Sequence, residues 1–142
     1  MKTRKILVLA LVLVLAVLAL FACNAKDKEP LVLTDSENLV VLQPTSEYAG
    51  KTVLEFMNIV KEKGEIDFVV ENGMVTSVNG KEQSYADNNY WMIYTSDESH
   101  SNTAWGTAEY KGKVYGSADT GVTELPIAEN CIYILAYQHV EF

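Results

Sequence analysis

The sequence predicts an α+β domain in which a mixed sheet packs on one main helix, preceded by an N-terminal signal helix. Three observations support this fold class. A capping box starts an amphipathic segment at Thr52, valine-rich runs flank the dipeptide Asn72-Gly73, and an uncharged aromatic run extends from Tyr90 to Thr95. One segment with helical spacing among several with strand composition is typical of an α+β domain.

The N-terminal segment has the order of a secretory signal. Lys2, Arg4 and Lys5 precede an uninterrupted apolar run from Ile6 to Ala22. A basic start followed by an apolar stretch is typical of a signal peptide, so residues 1–22 are expected to direct the chain out of the cytoplasm. An uncleaved anchor is the alternative, because the run is near the lower length limit for crossing a bilayer.

The end of the apolar run carries the residues of a bacterial lipoprotein signal. Leu20-Phe21-Ala22-Cys23 resembles a lipobox and is followed directly by polar residues. The resemblance implies that Cys23 receives a lipid with fatty acyl groups such as palmitate and becomes the first residue after cleavage. Residues 23–30 are then the lipidated cysteine and its tether, and residues 31–142 form the domain. The protein is expected at the extracytoplasmic face of the cell membrane.

The charge balance excludes one class of partner. The chain of 142 residues has 11 Lys and Arg against 19 Asp and Glu, which gives a net charge of −8. Removal of residues 1–22 takes away basic residues only, so the remaining domain is still more acidic. An acidic chain without a basic tract is not expected to bind nucleic acid.

The first elements of the domain are predicted to be two short strands and a helix. Valine-rich apolar runs at Leu31–Leu33 and Leu39–Leu42 predict the strands. Thr52 and Glu55 form a capping box, and apolar residues follow at helical spacing until Gly64 ends the helix.

Further strands are predicted after the helix. Ile66–Glu71 and Met74–Asn79 flank the Asn-Gly dipeptide, which accepts positive φ and favours a two-residue hairpin. Tyr90–Thr95 is uncharged and Ile132–Tyr137 is apolar on both faces of its alternation, so both are expected in the middle of a sheet. Between them, Asp97–Asp119 is predicted to be an irregular segment that contains a small hairpin.

No catalytic or metal-binding motif is present in the sequence. His100 and His139 are far apart, and Cys131 is the one cysteine besides Cys23. This spacing excludes a closely spaced zinc motif, and the glycine patterns of nucleophile elbows, phosphate loops and dinucleotide sites are absent. The protein is therefore expected not to be an enzyme and to require no metal or cofactor.

Aromatic residues are the candidate ligand-binding residues. Tyr90, Trp91 and Tyr94 lie on one predicted strand, so Trp91 faces one way and both tyrosines face the other. The face that meets the helix is core, and the opposite face would be an aromatic patch for a flat ligand. The sequence leaves open which face is which.

A second candidate set lies in the predicted irregular segment. Trp105, Tyr110 and Tyr115 have serine, threonine and asparagine residues nearby. Rigid rings beside adaptable hydrogen-bonding groups are typical of a binding loop. The same rings could instead anchor a long loop through a small core of their own, and the sequence does not distinguish the two.

Three motifs in this order resemble a known family. They are GKTVLE at Gly50–Glu55, MVTSVNG at Met74–Gly80 and YWMIY at Tyr90–Tyr94, and the resemblance extends from Leu39 to Phe142. The chain is similar to a bacterial domain family of unknown function that is related to the C-terminal domain of transcobalamin and intrinsic factor. The resemblance implies a β-grasp-like fold and binding of a cobalamin-type or other small ligand outside the cell.

Two non-catalytic functions are compatible with these observations. The first is capture of a small ligand, with a corrinoid as one candidate, for delivery to a membrane importer. The alternative is a cell-surface protein-interaction module, in which exposed rings or a sheet edge recognise another envelope protein.

Overall fold

Strands dominate the structure. The computed structural model describes residues 31–142; the predicted signal, Cys23 and the tether lie outside them. Of the described residues, 47% are in strands and 14% are helical, and the strands form two sheets in a β-sandwich-like fold. Within this range, none of the helices has the length and apolar character needed to cross a membrane.

The strands and helices follow one another in a simple order. The strands are β1 Val32–Ser36, β2 Leu39–Leu42, β3 Phe68–Glu71, β4 Met74–Val78, β5 Lys81–Glu82, β6 Asn89–Thr95, β7 Ser101–Tyr110, β8 Lys113–Ala118 and β9 Tyr133–His139. The helix α1 is Val53–Glu62, and short 3₁₀ turns cover Ser46–Tyr48 and Glu98–His100.

Both sheets are antiparallel. The larger sheet has the order β1-β2-β9-β6-β8-β7, and the smaller sheet has the order β3-β4-β5. The two apolar runs predicted to be central, β6 and β9, lie beside each other and pair along seven residues. Their lack of charge fits strands that are covered on both faces. β9 has a neighbouring strand on each side, whereas β6 pairs with β9 along its length and with β8 at only two residues.

The predicted α+β class, with a mixed β-grasp-like sheet on one main helix, is wrong. The ten residues of α1 give a helix about 15 Å long, whereas six strands span about 24 Å across the sheet. The β3-β4-β5 sheet covers the part that the helix cannot reach. One apolar core accordingly joins Val60 of α1, Val78 of β4 and Leu135 of β9.

The predicted capping box is confirmed. The Thr52 hydroxyl accepts a hydrogen bond from the Glu55 N–H at 3.2 Å, and the Glu55 carboxylate accepts from the Thr52 N–H at 2.7 Å. The bond from the Thr52 main chain is the main cause that lowers the pKa of the Glu55 carboxyl. Local chemistry therefore sets the start of α1, and Gly64, at φ 74°, follows its end.

The predicted Asn-Gly hairpin is also confirmed. Asn72 and Gly73 connect β3 to β4 with φ values of 52° and 81°. Two consecutive positive φ values match the twist of the flanking strands, which is why this dipeptide favours a tight hairpin.

The β7–β8 hairpin forms one edge of the larger sheet and also packs over the face of that sheet opposite the main core. Ala108 and Tyr110 of β7 pack with Val41, Tyr94 and Ile134 in a second buried cluster. The small hairpin predicted within Asp97–Asp119 is confirmed, because Tyr110 pairs with Lys113. The irregular structure predicted around it is wrong, because β7 and β8 cover most of the segment. Polar and apolar residues do not alternate regularly along β7, because its pairing register with β8 shifts between Asn102 and Thr107.

Candidate functional site

Both faces of β6 are covered, which resolves the question that the sequence left open. Trp91 and Ile93 pack in the core beneath the smaller sheet and the helix, and Met92 and Tyr94 pack in the second cluster. Trp91 is 6% exposed, and Tyr94 is 2% exposed. The strand therefore presents no broad aromatic patch to solvent, and its ring surface is available mainly through half-buried Tyr90 near the end of the strand.

Tyr94, Tyr110 and Tyr115 belong to the second cluster. Tyr94 and Tyr110 are buried, and Tyr115 is partly buried against them. The Tyr94 hydroxyl donates to the side-chain oxygen of Gln138. These three predicted ligand-binding residues pack the interior of the hairpin cover instead of forming an exposed patch.

Two buried tyrosines make the stability of the domain sensitive to high pH. Burial raises the pKa of Tyr94, and burial is also the main cause that raises the pKa of Tyr133. In the unfolded chain, tyrosine hydroxyls have their ordinary pKa of about 10 and lose their protons near that pH. In the folded domain, the hydroxyls of Tyr94 and Tyr133 still hold their protons at the same pH. The unfolded state then binds fewer protons, so the free energy of unfolding falls as pH rises above that value.

We expect urea unfolding at a series of pH values from neutral to strongly alkaline to show this decline. Tyr94→Phe should make the decline shallower, because the variant removes one of the two hydroxyls with a raised pKa. An equal slope in the variant and the parent protein would contradict the assignment.

Trp105 lies on a bulge that interrupts β7. Asn102 pairs with Ser117 and Thr107 pairs with Gly116, so residues 103–106 have no partner in β8. Trp105 is 61% exposed at this bulge. The interpretation of Trp105 as an anchor of a small core is therefore wrong, and its ring is free to contact a partner.

The main concavity with an apolar lining is a cleft of about 420 Å³ at the edge of β6. We call it the edge cleft. It is bounded by Tyr90–Ile93 of β6, by Gly73–Val75 at the β3–β4 turn and by Ser117–Val122 at the end of β8, with Gln83 and Phe142 at the rim. Two of the predicted residues, Tyr90 and Trp91, line it.

The edge cleft exists because β8 separates from β6. The two strands pair only at Tyr94 with Ser117 and at Thr95 with Gly116. Beyond this point the chain stays with β7, since the Asp119 N–H donates to the His100 carbonyl at 2.9 Å. The edge of β6 is thereby left without a neighbouring strand along the cleft.

The hydrogen-bond phase of β6 shows which main-chain groups face this edge. The Ser96 N–H donates to the Ile132 carbonyl at 3.2 Å, and the Val140 N–H donates to the Asn88 carbonyl at 2.8 Å. In an antiparallel ladder, hydrogen-bonded pairs alternate. The even-numbered residues of β6 therefore bond to β9, and Trp91 and Ile93 direct their main-chain groups towards the cleft.

The main-chain groups of β6 that face the cleft lack strand partners. Asn89 exchanges hydrogen bonds of 2.9 Å with Ser84 at one end of the cleft, and Thr95 pairs with Gly116 at the other. Between them, the N–H and C=O of Trp91 and the N–H of Ile93 have no main-chain partner in residues 31–142. Such groups are strong hydrogen-bonding groups, so the edge can bind a complementary ligand.

Exposed apolar side chains surround the edge cleft. The ring of Tyr90 makes edge-to-face contacts with Tyr85 and Phe142, with ring centres 5.8 Å and 5.7 Å apart. Tyr85 is 63% exposed, Met74 is 57% exposed and Phe142 is fully exposed. Apolar side chains grouped in this way around a concavity are typical of a recognition site.

The charge of the edge cleft is acidic. Asp119 is the one charged residue among those that line the cleft in the described chain. Its carboxylate lies 3.0 Å from Nδ1 of His100, and both side chains are partly exposed. No Lys or Arg side chain lines the cleft within this range.

A larger concavity, of about 550 Å³, lies at the other end of the larger sheet. Half of the residues around it are polar or charged, among them Glu47, Lys63 and Asn130. Cys131 is half-buried in its wall. It lacks the exposed rings and the open strand edge of the edge cleft, so it is the weaker candidate.

The histidines have local partners. His100 contacts Asp119, and Nδ1 of His139 lies 2.9 Å from the Asp87 carbonyl oxygen. Among the described residues, no group of three or more His, Cys, Asp or Glu side chains is arranged to hold a metal ion.

One comparison with known proteins gives a match. Residues 50–111 match the model of a family described as a domain of unknown function (DUF4430). The matched region includes two walls of the edge cleft, from β3–β4 and from β6, and ends before the Ser117–Val122 wall. No curated protein and no solved structure matches the chain.

Proposed function

We propose that the protein is a non-catalytic recognition domain that binds a ligand in the edge cleft. In this proposal, the lipid on Cys23 holds the domain at the extracytoplasmic face of the cell membrane. The observation that carries the proposal is the coincidence of an open strand edge with an apolar rim. Neither metal nor cofactor is needed, because shape and hydrogen bonds supply the binding energy.

A polypeptide ligand fits this geometry best. The unpartnered groups of Trp91 and Ile93 lie along a strand, and another strand offers donors and acceptors at the same spacing. Met74, Tyr85 and Phe142 add exposed apolar surface beside that edge. In this form the protein is a cell-surface interaction module.

A small corrinoid-type ligand is the second candidate. It is supported by the resemblance to the C-terminal domain of transcobalamin and intrinsic factor. The cleft volume of about 420 Å³ is also within the usual range for small-molecule sites, roughly 300–1,000 Å³. In this form the domain delivers its ligand to a membrane importer.

Site-specific photocrosslinking in intact cells tests the polypeptide form. A photoreactive amino acid at position 74, beside the edge cleft, is expected to give a covalent protein adduct. The same residue at position 114 is the control, since Val114 is similarly exposed, at 63%, but does not line the cleft.

Titration with cobinamide and cobalamin, followed by absorbance and calorimetry, tests the small-ligand form. Saturable binding that is weakened by Tyr90→Ala would support it. If the titrations show no saturable signal and position 74 gives no adduct beyond that of position 114, the proposed function is overturned.

A further inference from the structure

We infer that the edge cleft binds an extended segment of a partner protein as an added strand of the larger sheet, beside β6, and that this segment carries basic residues next to apolar ones. This inference rests on the proposed function and specifies its ligand. It differs from general surface contact because it assigns the recognition to named main-chain groups.

The main-chain pattern selects an extended peptide. A strand placed along β6 can accept from the N–H groups of Trp91 and Ile93 and can donate to the C=O of Trp91. These groups lie on alternate residues, so they repeat about every 6.8 Å along the edge. An extended chain repeats its own donors and acceptors at that distance, whereas a helix does not.

The length of the open edge limits the bound segment. The edge is closed at Asn89 by Ser84 and at Thr95 by Gly116. The six residue steps between Asn89 and Thr95 span about 20 Å, and the closed ends leave room for about four residues of an added strand. The interface is therefore a short motif and not a long sheet extension.

The charges around the cleft select the side chains of the segment. Asp119 lines the cleft, and the Thr120 hydroxyl bonds to Glu124 close by. Glu71 and Glu82 line an adjoining groove that shares Gln83 with the cleft. Acidic groups lie on both sides of the cleft, and no basic residue is among the described residues that line it. A bound segment with Lys or Arg next to apolar residues would therefore complement both the charge and the apolar rim.

Peptide probes can be obtained by selecting a display library of random dodecapeptides for binding to the full chain in detergent. We expect selected peptides to have alternating apolar residues with Lys or Arg at the flanks. We also expect amide hydrogen exchange at Trp91 and Ile93 to slow when such a peptide binds. Exchange at Tyr90, Met92 and Tyr94, whose amides already face β9, should change little.

Ile93→Pro tests the edge directly. The substitution removes an N–H that has no main-chain partner, so the ladder with β9 stays intact. Ile93→Ala is the matched control, since it loses the same apolar side chain and keeps the N–H. We expect Ile93→Pro to weaken peptide binding roughly tenfold relative to Ile93→Ala.

N-methylation of the peptide gives a second test that does not depend on how the proline variant folds. Methyl groups on alternate peptide nitrogens should abolish binding in one register and be tolerated in the other. If both registers are tolerated, or if Ile93→Pro and Ile93→Ala bind equally, strand addition is overturned.

Failure to select any peptide also overturns strand addition. The proposed function fails separately, through the absence of an adduct at position 74 and of small-ligand binding.

Discussion

Trp91→Ala is expected to lower the free energy of unfolding by about 3–5 kcal/mol. Trp105→Ala is expected to change it by less than about 0.5 kcal/mol. The two substitutions remove the same side chain from the same sheet, so the difference measures the environment of each ring. Urea unfolding followed by far-ultraviolet circular dichroism gives both values.

The environment of Trp91 explains its large effect. Its ring packs in the main core at 5.4 Å from the ring of Tyr137, and its Nε1–H donates to the Lys81 carbonyl at 2.8 Å. Alanine would leave a cavity and would also remove the indole hydrogen bond to the Lys81 carbonyl. Trp105 makes no ring contact with another aromatic residue of the described chain and lies mostly in solvent.

The comparison has a clear contrary outcome. If Trp105→Ala destabilises the domain as strongly as Trp91→Ala, the ring of Trp105 packs against the domain, which would contradict its exposure to solvent at the bulge of residues 103–106. Because Trp105→Ala should preserve the fold, it can also be used in cells to test whether the exposed ring contributes to partner binding.

Local signals in the sequence predicted the helix and the β3–β4 hairpin correctly. Thr52 and Glu55 determine the start of α1 through two hydrogen bonds within four residues of each other. Asn72 and Gly73 determine the β3–β4 turn through their tolerance of positive φ. Such signals depend on neighbouring residues only, so a single sequence contains them.

The long strand β7 could not be predicted in the same way. Its alternation is interrupted by the bulge at residues 103–106, and the polar residues before the bulge suggest a loop. The bulge depends on close packing elsewhere in the chain. An added Cβ at Gly116 would overlap the Ser101 hydroxyl oxygen and would lie 3.0 Å from the Thr103 main-chain nitrogen, so a larger residue here would push β7 away from β8.

The site was predicted only in part. The sequence identified Tyr90 and Trp91 on a strand without charge, and both residues line the edge cleft. The cleft itself results from the departure of β8 from β6 at Asp119, which no local pattern indicates. Burial of Tyr94 and Tyr110 likewise depends on the hairpin that covers the second face of the sheet.

Gly121→Ala is expected to lower the free energy of unfolding by about 1–3 kcal/mol and to weaken ligand binding in the edge cleft. An added Cβ at Gly121 would lie 2.6 Å from the Gly73 carbonyl oxygen, which is closer than such atoms can approach. Either the β3–β4 turn or the segment at Gly121 must move, and both form walls of the cleft. Thr120→Ala, one residue away, is the control for stability, because its hydroxyl makes only an exposed bond to Glu124.

The displacement should also reach the helix. The carbonyl oxygens of Val122 and Leu125 accept hydrogen bonds of 2.9 Å from the N–H groups of Leu54 and Val53. These donors belong to the first turn of α1 and have no partner within the helix. The segment around Gly121 therefore joins a wall of the cleft to the start of the helix, and a shift of either affects the other. Unchanged stability together with an unchanged adduct from position 74 would show that this segment moves freely and does not define the cleft.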